Sequence, residues 1–327
     1  MRRVRTVLGD ILPEELGVTA AHEHLYCDQR LCSEPDFPRK VEKMVLLDTD
    51  LIVQEAGYFH EAGGRAIVEV TVHGWGRDVK VLSEISRRTG LHVVATSGFY
   101  VEDCLPAFVR DSSVEALAAF LVSEVMVGAD GSPSRAGLLK AAVSRARIEG
   151  AEERCTRAVA RAHLQTGAAI TTHTSASSRF QIDGGNAGTM FLDLFEAEGV
   201  DLGRVIIGHC DENADLRQLA NLMDRGAYVQ FDVIGKEHWL LDTTRADLIA
   251  GLLDRGYGHR LLLSTDRTRI SELRISGGKG YDHVLRKFVP LLKDRGVDDA
   301  ALELLLVTNP ATIFSMPFPI QEETHHE

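Results

Sequence analysis

Short apolar runs recur along the chain, each rich in β-branched residues and each closing on polar ones. Eight stand out: GVTAAHEH (17–24), RAIVEVTV (65–72), LHVVATSG (91–98), AGLLKAAV (136–143), AAITTHTS (168–175), GRVIIGH (203–209), GAYVQFDV (226–233) and HRLLLSTD (259–266). Runs of this kind suit strands covered on both faces, as in a parallel sheet. Between them apolar residues fall at helical spacing. VEALAAFLVSEVM follows Asp111–Ser112–Ser113, a good capping group, and Asp78 is an expected N-cap at the end of GWGRD. The stretches 149–167, 213–226 and 245–256 each end on a glycine, as helices stopped by a left-handed residue do. Strands alternating with helices over about 250 residues predict a single-domain α/β fold, a (β/α)8 TIM barrel. An open doubly wound sheet is the rival, but no GxGxxG follows the first strand. The domain is expected to span 1–327, with its core at about 4–315. Residues 25–48 read as a long loop after the first strand, and 316–327 as a poorly ordered tail.

The strand ends carry the chemistry. The first run closes on His22–Glu23–His24, and residues two apart on a strand share a face. The fifth run holds His173, the sixth ends at His209, the eighth at Asp266, and Lys140 sits inside the fourth. Barrel active sites lie at the carboxyl ends of the strands, so these residues converge there and read together as a metal site. Each alone has a plainer explanation: a lone histidine is more often a core residue, and a strand lysine can simply pair with a carboxylate.

Together with their flanking stretches these positions resemble the phosphotriesterase-like family of the amidohydrolase superfamily. The matching segments include TVLGDILPEELGVTAAHEHL, EVTVHGWGRDV, ATSGFY, AGLLKAAVS, TTHT, VIIGHCDEN, YVQFDVIGK, LLLSTDRTR and GGKGYDHVL. IGHCDEN, QFDVIGK and GGKGYDHVL are similar to the phosphotriesterase-homology and lactonase branches. The resemblance implies two divalent metal ions, one held by His22, His24 and Asp266 and the other by His173 and His209. Lys140, carboxylated by carbon dioxide, would bridge them together with a hydroxide. Imidazole and carboxylate ligands suit zinc first, with manganese, cobalt or Fe(II) as further options. Asp266 would also act as general base. Tyr100 stands where related lactonases turn a tyrosine toward the metals. Val233 replaces the arginine that acyl-homoserine lactonases often carry after the seventh strand.

A basic group lies on the last two loops: Lys236, Arg267, Arg269, Arg274 and Lys279, with Tyr281 beside them. The net charge of −12 makes such a cluster notable and points to an anionic group on the substrate. The expected activity is therefore metal-dependent lactone hydrolysis, with a phosphorylated or otherwise anionic sugar lactone as substrate. N-acyl amide hydrolysis and phosphotriester hydrolysis use the same centre and stay open. A non-catalytic ligand-binding barrel is the alternative of another class.

Charge and composition exclude other partners. A chain this acidic has no general basic face for nucleic acid or anionic membrane. No run approaches the length of a membrane span, and the amino terminus lacks the apolar stretch of a signal peptide. Five cysteines without a CxxC pair argue against a disulfide framework or a thiolate zinc site. The expectation is a reduced, cytoplasmic protein, a homodimer by resemblance, acting on a small molecule.

Overall fold

The computed structural model describes residues 2–32, 43–143, 147–174, 187–212 and 215–317. Eight parallel strands follow one another around a barrel. They are β1 (Thr19–Glu23), β2 (Ala66–Glu69), β3 (His92–Gly98), β4 (Leu138–Ala142), β5 (Ala169–His173), β6 (Val205–Ile207), β7 (Tyr228–Phe231) and β8 (Leu261–Leu263). Every one lies within a run anticipated from the sequence. The helices α1 (Thr49–Glu61), α2 (Val79–Thr89), α3 (Val114–Met126), α4 (Gly150–Thr166), α5 (Ala187–Ala197), α6 (Leu216–Asp224) and α7 (Asp242–Leu253) connect them.

Local chemistry sets the helix ends. Asp78 accepts from the backbone of Lys80 and Val81 to start α2, and Ser113 accepts from Ala116 to start α3. Gly167 ends α4 in the left-handed conformation, φ 70°.

Burial on both strand faces divides the apolar residues in two. Ile67, Val93, Leu139, Ile170, Val205, Val229 and Leu263 pack outward against the helices, while Val68, Val94, Leu138, Ala169, Ile206 and Leu262 fill the barrel interior. Below them, Val4, Leu16, Ile313 and Phe314 plug the amino-terminal end. This plug is anchored by a small antiparallel sheet in which Arg2–Thr6 lies between Gly9–Ile11 and Ser315–Pro317. The expected tail therefore begins later than anticipated, since Met316 and Pro317 pair with the first strand of this sheet; 318–327 lie outside the described residues. The long first loop is likewise more structured than a loop: Cys27–Asp28 pairs with Val45–Leu46.

One disulfide departs from the expectation of a reduced chain without a disulfide framework. Cys32 and Cys104 are bonded across 72 positions, because the segment after β1 folds against the turn after β3. Distant partners of this sort leave no local spacing to read. Cys27, Cys155 and Cys210 remain free and buried. No helix among the described residues is long and apolar enough to cross a membrane.

The barrel is closed by side chains. The backbone ladder links the strands in chain order from β1 to β8. At the seam, the His22 amide donates to Ser264 Oγ at 2.9 Å. Glu23 Oε1 accepts from the Thr265 amide at 2.8 Å and its hydroxyl at 2.7 Å, and Glu23 Oε2 accepts from the Arg267 amide at 2.9 Å. These donors flank Asp266 on both sides. Glu23 is fully buried, so losing its carboxylate strands several donors without water. Glu23→Ala is expected to lower stability by about 2–4 kcal/mol, with Glu23→Gln intermediate, as read from the midpoint of urea unfolding.

Candidate metal centre and active site

At the carboxyl ends of the strands the interior turns polar. A register shift in the β1–β2 ladder lies between Ala20 and Glu23, where the HEH segment begins; bulges of this kind re-aim side chains beside active sites. His22 and His24 are both buried, and with Asp266 they offer ligand atoms within 4.8 Å of one another. His22 Nε2 lies 3.6 Å and His24 Nε2 3.3 Å from Asp266 Oδ1. His22 Nε2 is buried and has no hydrogen-bond partner among the described residues. An orphaned ring nitrogen in a polar cluster is costly unless a ligand meets it.

The second group faces the first. His173 Nδ1 is 2.7 Å from His209 Nε2, and the His22 and His209 rings are 5.1 Å apart. Lys140, on β4, is buried and its Nζ donates to Val70 O at 3.1 Å. The structure thus brings His22, His24, Lys140, His173, His209 and Asp266 to one end of one barrel, as the strand-end pattern predicts. These residues can hold divalent cations: imidazoles and a carboxylate are the right donors, and His22, His24 and Asp266 already bring their ligand atoms together.

Backbone strain marks the site. His209 and Asp266 have φ of 53° and 49°, in the left-handed region that non-glycine residues seldom adopt. Asp232 holds His209 there. Its carboxylate accepts from the His209 amide at 3.0 Å and from the ring Nδ1 at 2.9 Å, while Oδ2 meets His22 Nδ1 at 3.0 Å. A single carboxylate therefore orients one histidine from each group. On the other side, His24 Nδ1 meets Thr71 Oγ1 at 2.7 Å, and that hydroxyl donates to the buried Glu69. Outer hydrogen bonds of this type fix the tautomer and leave the inner nitrogen as a donor to metal.

Burial and partners set the charge states. Burial lowers Lys140 to about 8, against the pull of Asp266, Glu69 and Asp232. Burial takes His24 down to about 3 and His173 well below its ordinary value. His209 goes the other way, to about 9, because Asp232 outweighs its burial. Burial alone would raise Asp266, but Lys236, His24 and His22 hold it well below the usual carboxylate range.

Tyr100 stacks on Trp75 at 4.9 Å, and its hydroxyl meets His173 Nε2 at 3.2 Å. Trp75 also packs edge-on against His24 at 4.6 Å, with its Nε1 buried and unpartnered among the described residues. The GWGRD turn, read from sequence as merely structural, thus forms part of the site wall. An aromatic residue in a turn has no sequence signal that sets it apart from core.

The expected basic cluster is dispersed. Lys236 reaches the centre: its Nζ is 2.7 Å from Asp266 Oδ2 and 3.9 Å from Glu272 Oε1. Arg269 lies beside it, 3.4 Å from Glu272. The others are engaged elsewhere. Arg267 is buried, donating to the carbonyls of Gly280 and Ile234. Arg274 pairs with Asp282 at 2.6 Å and covers the Tyr58 ring. Lys279 pairs with Glu237. Tyr281 donates to His24 O at 2.7 Å, supporting the metal-candidate strand from behind. Arg274 and Lys279 line a surface cavity of about 510 Å³ that none of the central residues reaches.

A family model for the phosphotriesterase family matches residues 2–314, nearly the whole described chain. The chain belongs to the phosphotriesterase family. The phosphotriesterase homology protein of Escherichia coli is 38% identical over 299 residues, covering 91% of this chain and 98% of its own. Its crystal structure, with phosphate in the active site, superposes with a TM-score of 0.84 over 92% of this chain and 99% of that one. Human N-acetyltaurine hydrolase is 29% identical over 345 residues, covering 94% of this chain and 96% of its own. A lactonase from Listeria monocytogenes is 28% identical with a TM-score of 0.86, covering 97% of this chain and 100% of that one. As a member of this binuclear-metal family, with histidine and aspartate groups able to hold metal, the chain is a metal-dependent hydrolase.

Asp232 is the shared support of both histidine groups. Asp232→Asn is expected to weaken zinc binding by about 10–100-fold, measured by competition with a chromogenic chelator.

Proposed function

We propose that this phosphotriesterase-family chain opens the ring of a small lactone carrying a phosphate or carboxylate group. His22, His24 and Asp266 would hold one divalent ion, His173 and His209 a second, and carboxylated Lys140 would link them, with zinc the leading metal. The buried His22 Nε2 carries the metal reading: it lies beside His24 and Asp266 and has no hydrogen-bond partner among the described residues. Two such ions, when bound, lower the pKa of a water and polarise the substrate carbonyl.

The chain's own residues do the rest. Lys140 supplies a neutral amine, because burial lowers it to about 8; Nζ bonds to the carbon of carbon dioxide and releases one proton. Asp266 turns Oδ1 toward His22 and His24 and Oδ2 toward Lys236. Kept ionised by that lysine, it accepts the proton of the attacking water and returns it to the ring oxygen as the acyl–oxygen bond breaks. Lys236 is also the cation nearest the centre, and Arg269 stands close by. An anionic substrate group that draws Lys236 away frees Oδ2 for proton transfer, which ties substrate charge to turnover. Tyr100 fixes His173 from the outside, and the buried Trp75 backs the Tyr100 ring and packs edge-on against His24.

A second reading rests on the relatives named for N-acetyltaurine, an amide that bears a sulfonate. The same base and the same lysine fit an anionic N-acyl amide, so amides belong in the test. The phosphate in the active site of the E. coli relative supports an oxyanion near this centre in either case.

Matched lactones with and without a phosphate, and an N-acetyl amide with a sulfonate, separate these readings in zinc- and bicarbonate-loaded protein at pH 8. Lys236→Ala is expected to lower kcat/KM on the anionic lactone by about 10–100-fold, the worth of a charged hydrogen bond, with a change under about threefold on the neutral one. Equal losses on both would remove the anion-binding role, and preferred turnover of the amide would shift the substrate class. Carboxylation has its own readout. Under fixed dissolved 13C-labelled carbon dioxide, a carbamate NMR signal is expected to form at a rate rising about tenfold per pH unit below 8 and levelling above it, absent in Lys140→Ala.

A further inference from the structure

At the opposite end of the barrel from the metal candidates, three arginines surround a cavity of about 600 Å³. Arg204 immediately precedes β6, and Arg260 immediately precedes β8. Arg2 comes from the small sheet that closes this face, and Tyr228, the first residue of β7, supplies the floor beneath the Arg260 guanidinium, 5.1 Å from the ring centre. The cavity therefore gathers the starts of three successive strands.

One carboxylate faces these three charges, which leaves the cavity net positive. Arg2 donates to the hydroxyl and carbonyl of Ser315, and Arg204 to the carbonyls of Thr312, Gly167 and Ser315. Carbonyls satisfy the N–H groups and leave the net charge in place. None of the three is in an ion pair among the described residues, in a chain of net charge −12 whose other arginines are largely paired with carboxylates. Asp201 is the one acid lining the cavity, and its Oδ1 accepts from the Gly203 amide. Burial, with the neighbouring Arg2 behind it, pushes Arg204 down to about 10 against the opposing pull of Tyr228 and Asp201.

We infer that this face is a second binding site, separate from the hydrolytic centre, which takes a phosphate-bearing small anion between Arg2, Arg204 and Arg260. Positive charge converging from three directions suits a tetrahedral oxyanion better than a planar carboxylate, with Arg260, which donates to no backbone carbonyl among the described residues, offering the free fork. The volume exceeds that of inorganic phosphate, so the ligand has room for a second phosphoryl group or a small organic part.

Inorganic pyrophosphate is the probe, with citrate as a carboxylate of similar charge. Calorimetric titration of full-length, zinc-loaded protein at ionic strength held by sodium chloride is expected to show pyrophosphate binding that Arg260→Glu weakens by tenfold or more. Arg260→Gln is expected to weaken it less. Arg260 bonds to no barrel-closing group, so both variants should keep wild-type kcat/KM. Hydrogen exchange locates the ligand: pyrophosphate is expected to protect amides around 201–205 and 312–316 in the wild type and not in Arg260→Glu. Tighter binding of pyrophosphate than of citrate identifies phosphate as the group read. An Arg260→Glu isotherm that superimposes on the wild type, or protection confined to the carboxyl ends of the strands, overturns the site. Citrate binding here as tightly as pyrophosphate overturns the phosphate preference.

Discussion

The last strand of the barrel meets the first through the side chains of Glu23 and Ser264. Glu23 sits between the two histidines of the HEH segment, yet its carboxylate points at the residues around Asp266. That arrangement couples two elements nearly 250 positions apart: the strand that presents His22 and His24, and the turn that presents Asp266. The Asp266 amide adds a bond to His22 O at 3.3 Å. A positive φ at Asp266 is sustainable because its neighbours on both sides are fixed by one buried carboxylate. Burial makes this bond network expensive to break, and the same burial raises Glu23 to about 7, so the seam trades electrostatic cost for geometry.

A similar logic runs through the polar end of the barrel. Asp232 serves His22 and His209 together, Glu69 serves His24 through Thr71, and Tyr281 holds the His24 carbonyl. Each outer partner acts on the far side of a ring or on its backbone. The inner nitrogens are left toward the centre, and His22 Nε2 has no hydrogen-bond partner among the described residues. Polar groups this deeply buried normally find partners. Their placement makes sense when the shared partner is a cation, and the family's binuclear chemistry gives that cation its role.

Much of this was legible in the residues. Strands covered on both faces write themselves as apolar runs, so all eight barrel strands fall inside the runs read from sequence. Polar residues closing those runs then fall at the carboxyl face, which is why His22, His24, His173, His209 and Asp266 assemble as anticipated. Partners were not legible. Arg267, Arg274 and Lys279 sit on the same loop as Arg269, but their positions along the chain do not disclose that Ile234, Asp282 and Glu237 arrive to engage them. The Cys32–Cys104 bond and the Trp75–Tyr100 stack were hidden for the same reason: one needs the first loop to meet the third, the other the second loop to meet the third. Periodicity reports which face a residue occupies, and says nothing about what another loop brings to it.

Charge completes the division between the two ends of the barrel. The carboxyl end concentrates histidines and carboxylates, and there the cation Lys236 is held by Asp266, with Glu272 close behind. The amino end concentrates arginines with carbonyls as acceptors. In an acidic protein the first arrangement is suited to metal cations and admits a negative group only by exchange with an internal carboxylate. Such an exchange is selective, because a substrate must match the stabilisation that Asp266 already gives Lys236 before it gains anything. On the proposed reading, a neutral substrate would leave the lysine where it is and meet an Asp266 that remains partly engaged. On that reading, selectivity for charge at the hydrolytic end would follow from the Lys236–Asp266 contact itself, without a dedicated cluster of surface cations.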